Sequence, residues 1–141
     1  DLHSFPTRRS SDLHIAAMLD ISSDSLQSFT LTLSNDNNEI LLIGYDQPTN
    51  NYFIDRSQSG KTDFEQGFAA KHTVPRLITT PTFDMTLIFD KASVELFADS
   101  GLSVMTEIFF PDSPFTKIHI QTPNKMQLKS AKHFPLKSIW K

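Results

Sequence analysis

Apolar and polar residues alternate in short bursts along most of this chain, and each burst ends at a turn-forming cluster. Phe29, Leu31 and Leu33 alternate with Thr30 and Thr32, a period of two that puts one set of side chains on a buried face. The turn Ser34-Asn35-Asp36-Asn37-Asn38 separates this strand from residues 39–45, where the run Ile40-Leu41-Leu42-Ile43 marks a more deeply buried one. Upstream, residues 14–21 are mostly apolar and stop at Ser22-Ser23-Asp24-Ser25. Downstream, residues 46–50 hold Pro48 and turn the chain into a strand over 52–55.

The second half continues in the same way. Residues 57–68 are polar and carry Gly60 and Gly67, which predicts a long loop, and 76–80 reads as a short strand. Residues 85–90 and 93–98 form a hairpin turned at Asp90-Lys91-Ala92. Asp99-Ser100-Gly101 makes a second tight turn, with Gly101 free to take positive φ. Strands are expected at 104–110, closed by Pro111, and at 116–121, 126–131 and 136–140. The only helical candidate, 63–71, is short and interrupted by Gly67. About ten strands with turns every 8–12 residues predict an all-β, antiparallel two-sheet β-sandwich of jelly-roll or concanavalin-like type.

Composition narrows the function classes. The 141 residues suffice for one domain with a sizeable core, and 38% hydrophobic against 21% charged residues fits a globular chain. Thirteen Lys and Arg against sixteen Asp and Glu, net −3 with no basic stripe, excludes a nucleic-acid partner. Apolar runs of three to four residues are too short to span a membrane. With no cysteine there is neither a disulfide nor a Cys-ligated zinc. Residues 1–13 lack an apolar signal segment and any period, and Pro6, Arg8-Arg9 and Ser10-Ser11 would not pack. They are read as a linker from a preceding domain or a sequencing or cloning scar, with the folded domain over 14–141.

Candidate chemistry is sparse. His3, His14, His72, His119 and His133 show no metal-ligand spacing, and Asp20/Asp24 and Asp36/Glu39 flank turns without the D-x-D-x-D-G pattern of a calcium loop. No Gly-x-Ser-x-Gly elbow supports nucleophilic catalysis, so neither metal nor cofactor is expected. Twelve of the fifteen aromatics are Phe, which lacks a polar handle and suits a core or a domain contact better than a wet sugar face. In Phe109-Phe110-Pro111, one of two adjacent strand residues must point away from the core, towards a loop, another sheet edge or another domain.

Residues 51–111 carry a resemblance. Tyr52-Phe53-Ile54-Asp55-Arg56-Ser57-Gln58-Ser59-Gly60 leads to Phe64, Phe68 and Pro75, then Ser93-Val94-Glu95-Leu96-Phe97, Asp99-Ser100-Gly101 and Met105-Thr106-Glu107-Ile108-Phe109-Phe110-Pro111. This order is similar to the C-terminal domain of glycoside hydrolase family 32, the invertases, levanases, inulinases and fructanases. The resemblance implies a β-sandwich that follows a five-bladed catalytic propeller of the same parent chain. The family's catalytic carboxylates stand in Asn-Asp-Pro-Asn-Gly, Arg-Asp-Pro and Glu-Cys motifs. Here Asn35-Asp36 runs on to Asn37-Asn38, Asp55-Arg56 is in the reverse order, and no cysteine exists. The expected role is therefore an accessory domain that stabilises a β-fructosidase acting on sucrose or fructans and is not catalytic alone. The alternative is a module that grips fructan without cleaving it. An extracellular or periplasmic bacterial setting is expected ahead of the cytoplasm.

Within the resemblance, Tyr52, Asp55, Arg56, Ser57 and Glu95 form a candidate structural or sugar-contacting cluster. Arg56, where a strand meets a loop, calls for a carboxylate partner, and Glu95 is the expected one, so that losing Glu95 would destabilise the fold.

Overall fold

The computed structural model describes residues 10–12, 17–63, 66–123 and 126–135. Its strands are β1 Ser10–Asp12, β2 Ala17–Ser23, β3 Phe29–Ser34, β4 Ile40–Asp46, β5 Asn51–Asp55, β6 Lys71–Pro75, β7 Phe83–Phe89, β8 Ser93–Ala98, β9 Ser103–Ile108, β10 Lys117–Gln121 and β11 Leu128–Pro135. They form a six-stranded sheet, order β1-β10-β3-β4-β5-β6, and a five-stranded sheet, order β11-β2-β7-β8-β9. Every pairing is antiparallel. The fold is the all-β sandwich that the alternation predicts.

The period of two decides which face is buried. Leu31, Leu33, Leu41, Ile43 and Ile54 project inward from the six-stranded sheet, and Leu19, Ile21, Met85, Leu87 and Leu96 from the five-stranded one, all at most 1% exposed. Phe29 and Phe83 close one region of this core with ring centroids 5.5 Å apart. Removing any one of these large side chains would cost about 2–5 kcal/mol through lost burial and the cavity left behind.

Two hairpins and the β3–β4 turn lie where the turn residues predict. At the β8–β9 turn Asp99, Ser100 and Gly101 all take positive φ, at 55°, 58° and 90°, a backbone that short polar residues and glycine tolerate. Three expectations are corrected. Residues 76–80 are not a strand. The neighbouring β6 lies one segment earlier, where Val74 faces Tyr52 and Lys71 faces Asp55. Its side chains are mostly exposed, so an edge strand held by backbone hydrogen bonds leaves no apolar alternation to read. The last described strand runs over 128–135 rather than 126–131, and the expected strand over 136–140 lies outside the described residues. Ser10–Asp12, inside the supposed linker, pairs with β10, again through backbone groups that need no side-chain pattern. No helix occurs among the described residues.

Candidate functional site

The candidate residues separate into distinct places. Asp55 and Ser57 close a turn locally: Asp55 Oδ1 accepts from the Ser57 amide at 2.9 Å and from Ser57 Oγ at 2.7 Å. Arg56 between them turns the other way and ties the long loop to β9. Its Nε donates to the Phe68 carbonyl at 2.8 Å and its Nη1 to the Ile108 carbonyl at 3.1 Å. Its guanidinium lies 3.6 Å from the Phe68 ring centroid, a stacking that favours the planar arginine cation.

The carboxylate that meets Arg56 is Glu107, not Glu95. Arg56 Nη1 stands 3.5 Å from Glu107 Oε1, and His72 Nδ1 reaches the same oxygen at 2.8 Å. Glu95 is exposed on the outer face of the five-stranded sheet, opposite Ile88 and Thr106. The correction has a simple cause. Val94, Leu96 and Ala98 take the inward positions of β8, so Glu95 projects into water and needs no partner. On β9 the inward set is Ser103, Met105 and Glu107. A carboxylate on that parity is the one that requires a cation, and it is the signal by which Glu107 was readable.

Tyr52 belongs to a second, more deeply buried cluster. Its hydroxyl donates to Asp99 Oδ2 at 2.7 Å and accepts from Arg76 Nε at 3.2 Å, while Arg76 and Asp99 pair at 3.3 Å. The Arg76 and Asp99 side chains are 4% and 1% exposed, so this is a nearly fully desolvated ion pair. Arg76 spends its remaining donors on the carbonyls of Ile78, Thr80 and Thr82, at 3.2, 2.7 and 2.9 Å. That fan of contacts makes 76–82 an irregular crossing between the two sheets instead of a strand. Asn50 joins in: its side chain accepts from Tyr45 Oη at 2.6 Å and donates to the Arg76 carbonyl at 3.1 Å. Burial, and next the bond to Asp99, push the Tyr52 hydroxyl far above the ordinary 10.0. Burial likewise raises Tyr45, against the lowering effect of Arg76 nearby.

Chemically, both clusters hold the fold together. Arg76, Asp99 and Glu107 are the charged side chains that lie buried among the described residues, and each of the two acids already faces a guanidinium. No group of three or more His, Cys, Asp or Glu able to hold a metal occurs among the described residues.

The outer surface of β9 has a different character. Leu102, Val104, Ile108 and Phe110 share one parity and stay 43–54% exposed, with Phe97 of β8 opposite Val104. Phe110 leans on Phe68, their centroids 5.7 Å apart. Of the adjacent pair, Phe109 is fully buried and Phe110 is the one that turns outward. Isolated exposed apolar residues are ordinary; here four of them stand in one row along an edge strand.

The family profile described as "Glycosyl hydrolases family 32 C terminal" matches residues 2–137. The chain belongs to this family. It is 29% identical over 141 residues to the levanase of Bacillus subtilis (strain 168), covering 98% of this chain and 21% of that protein. An extracellular exo-inulinase of Aspergillus awamori is 33% identical over 76 residues, 53% of this chain and 14% of its own length. The crystal structure of exo-inulinase from Aspergillus awamori superposes with a TM-score of 0.81 at 24% identity, over 94% of this chain and 27% of that one. This family 32 C-terminal sandwich thus spans about a fifth of the levanase it matches.

Proposed function

We propose that this chain is the accessory C-terminal sandwich of a β-fructosidase that hydrolyses sucrose or fructans, and that it braces a catalytic propeller without taking part in bond cleavage. The observation that carries the reading is the family match together with the 21% share of a levanase that the chain spans. The exposed row Leu102, Val104, Ile108 and Phe110 supplies the contact surface, and the partner argued for it is the catalytic domain of the same parent. An apolar strip of this kind gains from burial at about 25 cal/mol per Å². The Arg56–Glu107 and Arg76–Asp99 clusters lie inward of that strip and fix β9 and its turns, so the surface is presented on a stiff support.

The test replaces the matching segment of the Bacillus subtilis levanase with this chain and measures the half-life of thermal inactivation. Val104→Asp together with Ile108→Asp puts two charges on the strip while touching no inward residue. The chimera is expected to lose its half-life several-fold on that change, with KM for sucrose unmoved. An unchanged half-life would refute the docking role.

A further inference from the structure

The margin where the two sheets meet is closed by polar bridges. β6 ends the six-stranded sheet and β9 ends the five-stranded one. Between them, Ser103 Oγ donates to the Pro75 carbonyl at 2.8 Å, and His72 Nδ1 meets Glu107 Oε1 at 2.8 Å. Just past Pro75, the Arg76–Asp99 pair at 3.3 Å ties the start of the 76–82 crossing to the β8–β9 turn. Residue 77 therefore leaves the margin at the same corner as residue 102. Among the described residues the exposed large hydrophobics are Leu77, Leu102, Val104, Ile108 and Phe110, and Leu77 is the most open of them at 63%. All five gather along this one margin and its corner.

Size argues that the β9 row is only part of a contact. From Leu102 to Phe110 a strand advances about 27 Å and is about 4.8 Å wide, so the row presents roughly 130 Å². A stable interface takes about 800 Å² from each partner. The rest must come from one side of the row or the other. Across the outer face of the five-stranded sheet stand the charged Glu95, Asp84, Asp20 and Lys132, and charges are costly to bury unless each is paired. Round the corner, residues 77–82 hold no charged side chain. The carbonyls of Ile78, Thr80 and Thr82 are already bonded to the Arg76 guanidinium, so a partner that covers the crossing strands none of these acceptors. The corner is the side on which water is displaced at least cost.

We propose that the contact surface turns this corner: it runs from the β9 row over the β8–β9 turn onto residues 77–82, with Leu77 as its far anchor, and the catalytic domain of the same parent seats across it. The partner rests on the bracing reading above; the extent and the anchor rest on the corner. The opposing surface is uncharged and apolar where it meets Leu77. A crossing covered in this way is held down on Arg76, so docking steadies the one segment that passes between the two sheets at this corner.

Hydrogen–deuterium exchange tests this by comparing the isolated 141-residue chain with the levanase chimera. Backbone amides within 77–82 and 102–110 are expected to exchange several-fold more slowly in the chimera, and those of 30–44, on the six-stranded sheet, at equal rates. Leu77→Asp should leave the Tm of the isolated chain unchanged, because the side chain already stands in water, and should shorten the half-life of the chimera several-fold. Equal exchange of 77–82 in the two proteins would overturn the proposal, whatever Leu77→Asp does to the isolated chain. So would a half-life unmoved by Leu77→Asp but shortened by Val104→Asp with Ile108→Asp, a result that leaves the bracing reading standing. A half-life that responds to neither change overturns both.

Discussion

Arg76→Met is the substitution with the largest consequence that the structure allows to be worked out. The guanidinium pairs with Asp99 at 3.3 Å, donates to Tyr52 Oη and holds three carbonyls of the 76–82 crossing. Methionine keeps most of the apolar stem and removes every one of these contacts. The carbonyls of Thr80 and Thr82 sit in an exposed segment and regain water, so they add little. Asp99 cannot: its side chain is 1% exposed and its Oδ1 already lacks a partner, leaving only the Tyr52 hydroxyl on Oδ2. Breaking a buried pair by removing one member costs about 3–5 kcal/mol. For a domain of this size that corresponds to a Tm lowered by roughly 10–20 °C. Urea unfolding followed by far-UV circular dichroism gives the free energy directly. Asp99→Asn added to Arg76→Met removes the stranded charge and keeps a residue that tolerates the φ of 55° at this turn. The double variant should recover at least about 1.5 kcal/mol over the single one. A loss below about 1 kcal/mol for Arg76→Met, or no recovery in the double variant, would refute the reasoning.

Two further predictions concern the same clusters. Glu107→Ala should cost about 2–3 kcal/mol, because Arg56 at 13% side-chain exposure loses its carboxylate, whereas Glu95→Ala should stay within about 0.5 kcal/mol; paired melts of the two variants decide, and equal losses would contradict the assignment of Glu107. Stability should also fall as pH rises beyond 10: unfolded Tyr52 releases its proton there while the buried hydroxyl keeps it, so the unfolded state binds fewer protons and the slope is negative. Tyr52→Phe should flatten that alkaline loss in a pH series of urea melts, leaving only the smaller share that Tyr45 contributes with the same sign, and an unchanged slope would contradict it.

Legibility followed the physics of each element. Strands with one buried face, such as Phe29–Ser34 and Ser93–Ala98, show in the sequence because burial imposes a period of two. Lys71–Pro75 and Ser10–Asp12 are edge strands joined through backbone groups, and a backbone leaves no trace in side-chain order. The sandwich could be read to its class, but not the 76–82 crossing, because that path is set by one arginine finding carbonyls several residues ahead. Among the candidate site residues, Arg56 was recognisable as a cation in need of a partner. The expected partner, Glu95, stands on the face of its strand opposite Val94, Leu96 and Ala98, and that face turns out to water. Facing direction on each strand separates inward Glu107 from outward Glu95, and both directions follow from the neighbouring apolar residues. Asp99 resembled a simple turn residue, and only the fold shows that the turn carries it beneath Arg76 and Tyr52.

The most direct test of the bracing role is fructose release by the purified chain itself. Incubated with sucrose, inulin and levan, it should yield no fructose above a heat-denatured sample, while the levanase chimera carrying it hydrolyses the same substrates. Release that scales with the concentration of the folded chain alone would contradict the account.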